Sequence, residues 1–107
     1  MLRRIASIAL LAAFSPAAHA AEAEQLKGKF AFNWHAMPSR VKCAKVDGKL
    51  YAEITSKSFK CEMKPVTNTA SGKPARVCTS SKGDKEYLVF DTLKACEEER
   101  RTQASNE

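Results

Sequence analysis

The sequence predicts an α+β fold: a small antiparallel β-sheet of five to six short strands, which can form two hairpin units, with a C-terminal helix and two disulfides. Three features support this fold class. Apolar and polar residues alternate in several short segments, glycine-containing turns separate those segments, and four cysteines are spaced widely along the chain.

The N-terminal 20 residues have the composition of a secretory signal peptide. The chain starts with a short basic segment that contains Arg3 and Arg4, residues 5–14 form a mostly apolar run, and residues 18–20 (Ala-His-Ala) supply a small-x-small cleavage pattern. No later segment is apolar over the roughly 20 residues that a membrane helix needs. We therefore expect cleavage after Ala20 and a periplasmic or secreted protein.

The chain after the expected cleavage site is long enough for one small domain. Residues 21–25 are small and acidic without periodicity, which predicts a mobile tail over residues 21–28. Residues 29–101 are expected to form a single disulfide-bonded domain, and residues 102–107 a frayed C-terminus. The full chain has 18 Lys and Arg against 12 Asp and Glu, so it is moderately basic.

The first predicted strand has aromatic residues on one face. Phe30, Phe32 and Trp34 alternate with Ala31 and Asn33, and Pro38 ends the pattern. A strand at residues 40–46 is expected to follow. Asp47-Gly48 then favours a tight turn into a third strand at residues 50–55.

The second half of the domain predicts another hairpin and the helix. Residues 59–64 alternate apolar and charged side chains, which indicates a half-buried strand, and residues 65–74 are polar turn formers that predict a flexible loop. Residues 76–79 and 86–90 flank a glycine turn, Lys82-Gly83-Asp84, and so predict two paired strands.

The predicted helix begins at Leu93. Asp91 or Thr92 can cap it, and Leu93 and Cys96 are expected to face the sheet together. The acidic residues 97–99 are expected to be exposed, with ordinary pKa values.

Cys43, Cys61, Cys78 and Cys96 predict two disulfides, because an even cysteine count in a small exported chain is typical of a disulfide framework. Zinc sites usually bring their cysteines in close pairs, which are absent here. Two similar loops, each with a glycine followed by a tyrosine, favour pairing 43–61 and 78–96 and leave the other two connectivities open. Pairing 43–61 conflicts with regular strands, which would place these cysteines roughly 9–10 Å apart.

The sequence supplies no catalytic constellation. His35 is the one histidine after the expected cleavage site, and the chain has no G-x-S-x-G or C-x-x-C motif. We therefore expect a protein that is not an enzyme, with no cofactor and no metal; a small hydrolase is the less favoured alternative.

The expected function is binding, most simply as an inhibitor or accessory protein that meets another exported or envelope protein. Large adaptable side chains at the end of the first strand, or the polar loop at residues 65–74, could contact that partner. The candidate contact residues are Trp34, His35, Met37, Arg40, Lys73 and Arg76.

A second class of function is binding of an anionic envelope polymer or nucleic acid through a lysine-rich face of the sheet. The basic residues that could form it are Lys42, Lys60, Lys64, Lys73, Arg76 and Lys85. Their interleaving with acidic residues also suits a merely solubilising surface.

Overall fold

The computed structural model describes residues 22–107, so the predicted signal peptide and Ala21 lie outside the described residues. Within these residues, one antiparallel sheet of five strands carries the helices α1 and α2, with the strand order β2-β1-β5-β4-β3. This architecture and the two disulfides confirm the predicted fold class. In chain order the elements are β1 (Phe30–Asn33), β2 (Ala44–Lys45), α1 (Gly48–Ile54), β3 (Phe59–Val66), β4 (Ala75–Ser80), β5 (Glu86–Phe90) and α2 (Leu93–Ala104), with short 3₁₀ turns at Glu24–Leu26 and Pro38–Arg40.

The sheet is covered on both faces, because successive residues of a strand point to opposite sides. In β5, Val89 packs into a core that includes Ile54 of α1, whereas Leu88 and Phe90 pack into a core that includes Cys96 of α2. We call these two sides the α1 face and the α2 face. The central strand β5 is therefore apolar along most of its length.

The predicted third strand at residues 50–55 is wrong, because this segment forms α1. Leu50, Tyr51 and Ile54 follow helical spacing and pack together into the core of the α1 face. Gly48 has a φ of +47°, which glycine adopts without steric cost where the chain leaves β2 and enters the helix. Asp47-Gly48 thus begins a helix instead of closing a hairpin.

The predicted second strand is much shorter than residues 40–46. Only Ala44–Lys45 pairs with β1, and Pro38–Arg40 forms a 3₁₀ turn. That turn lies against α2, where the guanidinium of Arg100 donates to the carbonyl oxygen of Pro38 at 3.0 Å. The segment therefore follows the helix before it joins the sheet.

The remaining strands match their predictions. The strand predicted at residues 59–64 continues to Val66, with Phe59, Cys61 and Met63 packed on the α1 face and the alternate residues exposed. Its Pro65 lies in an edge strand, where a missing N–H removes no ladder hydrogen bond to a further strand. The strands predicted around Lys82-Gly83-Asp84 pair as β4 and β5.

The favoured disulfide connectivity is wrong. The disulfides are Cys43–Cys96 and Cys61–Cys78, with Cα atoms 6.2 Å and 4.0 Å apart. Cys61 and Cys78 face one another in the register of β3 and β4. Cys43 precedes β2, at the opposite edge of the sheet from β3, and is therefore too far from Cys61 to pair with it.

The C-terminal helix begins as predicted but packs differently. The hydroxyl of Thr92 accepts a hydrogen bond from the Ala95 N–H at 3.1 Å, so Thr92 is the cap. Cys96 is buried, but Leu93 is 47% exposed and does not face the sheet as expected. The helix continues to Ala104, past the predicted start of fraying at residue 102.

Candidate functional site

A groove of about 500 Å³ lies on the α2 face of the sheet. Its floor consists of Val77 of β4 and Leu88 of β5, and its sides come from α2, the end of β1 and the loop after β3. The groove forms because α2 packs against β1 and β5 and leaves part of the α2 face uncovered. This volume is within the range of small ligand and side-chain binding sites.

Trp34 forms one wall of the groove immediately after β1. Its side chain is fixed by an indole N–H that donates to Oε1 of Glu86 at 2.8 Å, and its backbone N–H donates to the Glu86 carbonyl at 3.1 Å. The His35 ring packs edge-on against the indole, with centroids 4.7 Å apart. Trp34 is nevertheless 39% exposed, so part of its surface is open to a ligand.

Glu86 places a carboxylate in the groove. Oε2 accepts a hydrogen bond from the Thr79 hydroxyl at 2.6 Å, and the Glu86 backbone N–H donates to the Asn33 side chain at 3.0 Å. His35 Nε2 lies 3.8 Å from Oε1. Within the described part of the chain, no Lys or Arg forms an ion pair with Glu86. The carboxylate is thus oriented mainly by neutral donors.

The opposite wall is the loop after β3, which Glu99 of α2 holds in place. The backbone N–H groups of Ala70 and Ser71 donate to its carboxylate at 3.0 Å and 2.8 Å, and the Gln103 amide donates at 2.7 Å. Burial acts to raise the pKa of Glu99, but hydrogen bonds from Gln103, Ser71 and Ala70 outweigh it and lower the pKa below its ordinary value. The expectation that Glu99 is exposed is therefore wrong, since it is only 1% exposed.

These contacts also hold part of the segment at residues 65–74, which the sequence predicts to be a flexible loop. Residues 65 and 66 belong to β3, and the remainder is tied to α2 through Ala70 and Ser71. Within the loop, the Thr69 hydroxyl donates to the Lys73 carbonyl at 2.8 Å. The segment therefore forms a defined wall.

The candidate contact residues do not all meet at this groove. Trp34 lines it and His35 packs beside Trp34, whereas Met37 is 50% exposed in the following segment. Arg40 and Lys73 are also exposed, on the 3₁₀ turn and on the loop.

Arg76 differs from Trp34 because it lies on the other face of the sheet. It precedes Val77 on β4 and therefore points to the α1 face. There its guanidinium donates to the Met63 carbonyl at 3.0 Å and lies 3.3 Å from the Asp91 carboxylate. These contacts engage Arg76 within the domain.

The basic residues that could have formed one lysine-rich face are dispersed. Lys42 lies just before β2, whereas Lys60 and Lys64 belong to β3 at the opposite edge of the sheet. Lys85 is paired with Glu53 at 3.0 Å, as Arg76 is with Asp91. The sheet therefore presents no single surface that contains all six residues.

A second groove, of about 640 Å³, lies on the α1 face between α1, β3 and the N-terminal turn. Its lining includes Tyr51, Phe59 and Met63, together with Lys57 and Lys60. None of the candidate contact residues from the sequence lies there.

Comparison of the chain with protein-family models, with curated proteins and with solved structures finds no match. Among residues 22–107, no helix has the length and apolar character needed to cross a membrane. In the same range, no group of three or more His, Cys, Asp or Glu side chains is placed to hold a metal ion. The two disulfides indicate an oxidising environment, extracellular or periplasmic.

Proposed function

We propose that this protein is a small exported, non-enzymatic binding protein that holds another exported or envelope protein in the groove on the α2 face. One observation carries the proposal. The end of β1 and the loop after β3 were separate candidate docking segments in the sequence, yet Trp34 and residues 68–70 line the same groove.

The groove has the properties of an interface pocket for a partner side chain. Trp34 is among the residue types that contribute most to protein interfaces, and it is partly exposed beside the apolar floor. Glu86 and Glu99 fix the two walls through hydrogen bonds. A preformed site of this kind loses little conformational entropy when a partner binds.

The test compares two exposed apolar side chains of similar accessibility. Trp34 is 39% exposed in the groove, and Leu93 is 47% exposed at the start of α2, outside it. The wild-type protein, Trp34→Ala and Leu93→Ala are immobilised, exposed to an envelope extract, and the retained proteins are identified by mass spectrometry. Affinity for each retained protein is then measured directly.

We expect Trp34→Ala to weaken binding of the partner at least about 30-fold, because truncation of an interface anchor costs about 2 kcal/mol or more. Leu93→Ala should bind as the wild type does. A partner that binds Trp34→Ala with unchanged affinity would contradict the proposal. Melting temperatures of both variants show whether a loss of binding comes from unfolding.

A further inference from the structure

The charge of the groove is opposite to that of the chain. The full sequence has a formal net charge of +6, yet the groove is lined by two carboxylates and by no Lys or Arg of the described residues. Glu99 accepts hydrogen bonds from three N–H donors and is only 1% exposed, so a ligand cannot reach its carboxylate. Glu86 is therefore the charge that remains available to a ligand.

Glu86 can accept further hydrogen bonds. A carboxylate offers about four acceptor positions, and the side chain contacts of Glu86 are one indole N–H and one hydroxyl, with His35 further away at 3.8 Å. Its side chain is 24% exposed, so a partner group can reach it. The same contact fixes the exposed Trp34 ring directly beside the carboxylate.

A carboxylate next to an exposed indole is suited to a cationic side chain. A guanidinium can form paired hydrogen bonds to a carboxylate and can also stack on an aromatic face. The cation–π attraction of tryptophan is the strongest among the aromatic residues. Both interactions become available at one position, at the border between Trp34 and Glu86.

We propose that the groove recognises an arginine side chain on a segment of the partner protein, with Glu86 as its ion-pair acceptor and Trp34 as its stacking surface. This inference rests on the proposed function of the groove. A neutral ligand such as a glycan would cover Glu86 without neutralising it, and an unpaired carboxylate is costly to remove from water. Charge complementarity therefore favours the basic segment over the neutral glycan.

The experiment uses the one tryptophan of the sequence as its reporter. The oxidised protein is titrated with acetyl-Ala-Arg-Ala-amide, with the same peptide carrying citrulline in place of arginine, and with a trimer of N-acetylglucosamine. Binding is followed by Trp34 fluorescence and by the chemical shift of its indole N–H. Citrulline keeps the shape and hydrogen-bonding groups of arginine but has no charge.

Two variants test whether the charge of Glu86 causes the difference in affinity between the arginine and citrulline peptides. Glu86→Gln removes the charge and can keep both neutral contacts, because its carbonyl accepts from Trp34 and its amide donates to the Thr79 hydroxyl. Glu62→Gln removes the same charge from β3, at an exposed position outside the groove. Melting temperatures and circular dichroism confirm that both variants are folded.

We expect the arginine peptide to bind the wild type about tenfold more tightly than the citrulline peptide, since charge-assisted hydrogen bonds are about twice as strong as neutral ones. Glu86→Gln should remove that difference, and Glu62→Gln should retain it. Added salt should weaken binding of the arginine peptide and leave binding of the citrulline peptide nearly unchanged.

Four results would each overturn the inference: equal binding of the two peptides, no binding of either up to about 10 mM, equal effects of the two Gln variants, or tighter binding of the glucosamine trimer. The proposed function fails on a different measurement, the partner's affinity for Trp34→Ala. The groove can therefore be a protein-binding site even if its partner supplies no arginine.

Discussion

The two disulfides should contribute unequally to stability. Cys43–Cys96 joins residues 53 positions apart, and Cys61–Cys78 joins residues 17 positions apart. A disulfide that closes a loop restricts the unfolded chain and so stabilises the folded state. For loops of these lengths the contribution to the free energy of unfolding is about 4 kcal/mol for Cys43–Cys96 and about 3 kcal/mol for Cys61–Cys78. Cys96 and Cys78 are both fully buried, so replacement by alanine removes similar packing at each site. The double variant Cys43→Ala/Cys96→Ala should therefore be about 1 kcal/mol less stable than Cys61→Ala/Cys78→Ala.

The comparison requires urea unfolding of both double variants and the wild type, followed by far-UV circular dichroism. A difference of about 1 kcal/mol corresponds to about 4–8 °C in melting temperature for a domain of this size. Small domains have only about 5–15 kcal/mol of total stability, so loss of about 4 kcal/mol with Cys43–Cys96 should lower the melting temperature substantially. If the variant without Cys61–Cys78 is the less stable of the two, loop length does not determine the contribution of each disulfide.

Three further predictions concern Glu99 and export. Glu99→Ala should cost about 2–4 kcal/mol of unfolding free energy, because it leaves the Ala70 and Ser71 N–H groups without their acceptor; an unchanged melting temperature would show that the loop is held by other contacts. Folding lowers the pKa of Glu99, so its ionised form stabilises the fold fully above the unfolded pKa of about 4.3, and this stabilisation is lost as pH falls through the lower pKa of the folded state. The free energy of unfolding of Glu99→Gln should therefore fall less between neutral and acid pH than that of the wild type. Intact-mass analysis of the exported protein should give Ala21 as the first residue, and retention of Met1 would exclude cleavage of the signal peptide.

Local patterns were sufficient to predict the part of the fold that local interactions determine. In β3 the strict alternation of apolar and charged residues matches a strand with one buried side. The β4–β5 hairpin follows from the glycine turn at Gly83, which has a φ of +76°. Thr92 likewise caps the helix through a contact with a residue three positions away. None of these predictions requires knowledge of the strand order.

The incorrect predictions depend on tertiary contacts. A segment as short as α1 has too few apolar residues for its sequence pattern to distinguish a helix from a strand, and burial of Ile54 against the sheet decides the outcome. The disulfide pairing depends on the positions of β2 and β3 at opposite edges of the sheet. Equal spacing of the cysteines contains no information about that order.

The candidate site was also only partly predictable. Trp34 is recognisable because a large aromatic side chain follows a strand just before a break. Glu86 carries a usable signal, since it shares the strand parity of Leu88 and therefore the α2 face. Glu99 lies three residues after the buried Cys96 and four before Gln103, which places all three on one side of α2. Because residues 97–99 are all acidic, the sequence predicts all three to be exposed.

The groove depends on contacts that also stabilise the fold, so binding and stability must be measured together. Cys43–Cys96 fixes the first half of α2, and Glu99 ties the second half to the loop that forms one wall. Substitution of Glu99 should therefore lower both melting temperature and affinity, because the wall loses its position. Glu86 instead orients Trp34 from a half-buried position, and Gln can keep its contacts with Trp34 and Thr79, so Glu86→Gln should lower affinity for a basic segment with little change in melting temperature. That contrast separates the residue that shapes the groove from the residue that we propose contacts a ligand.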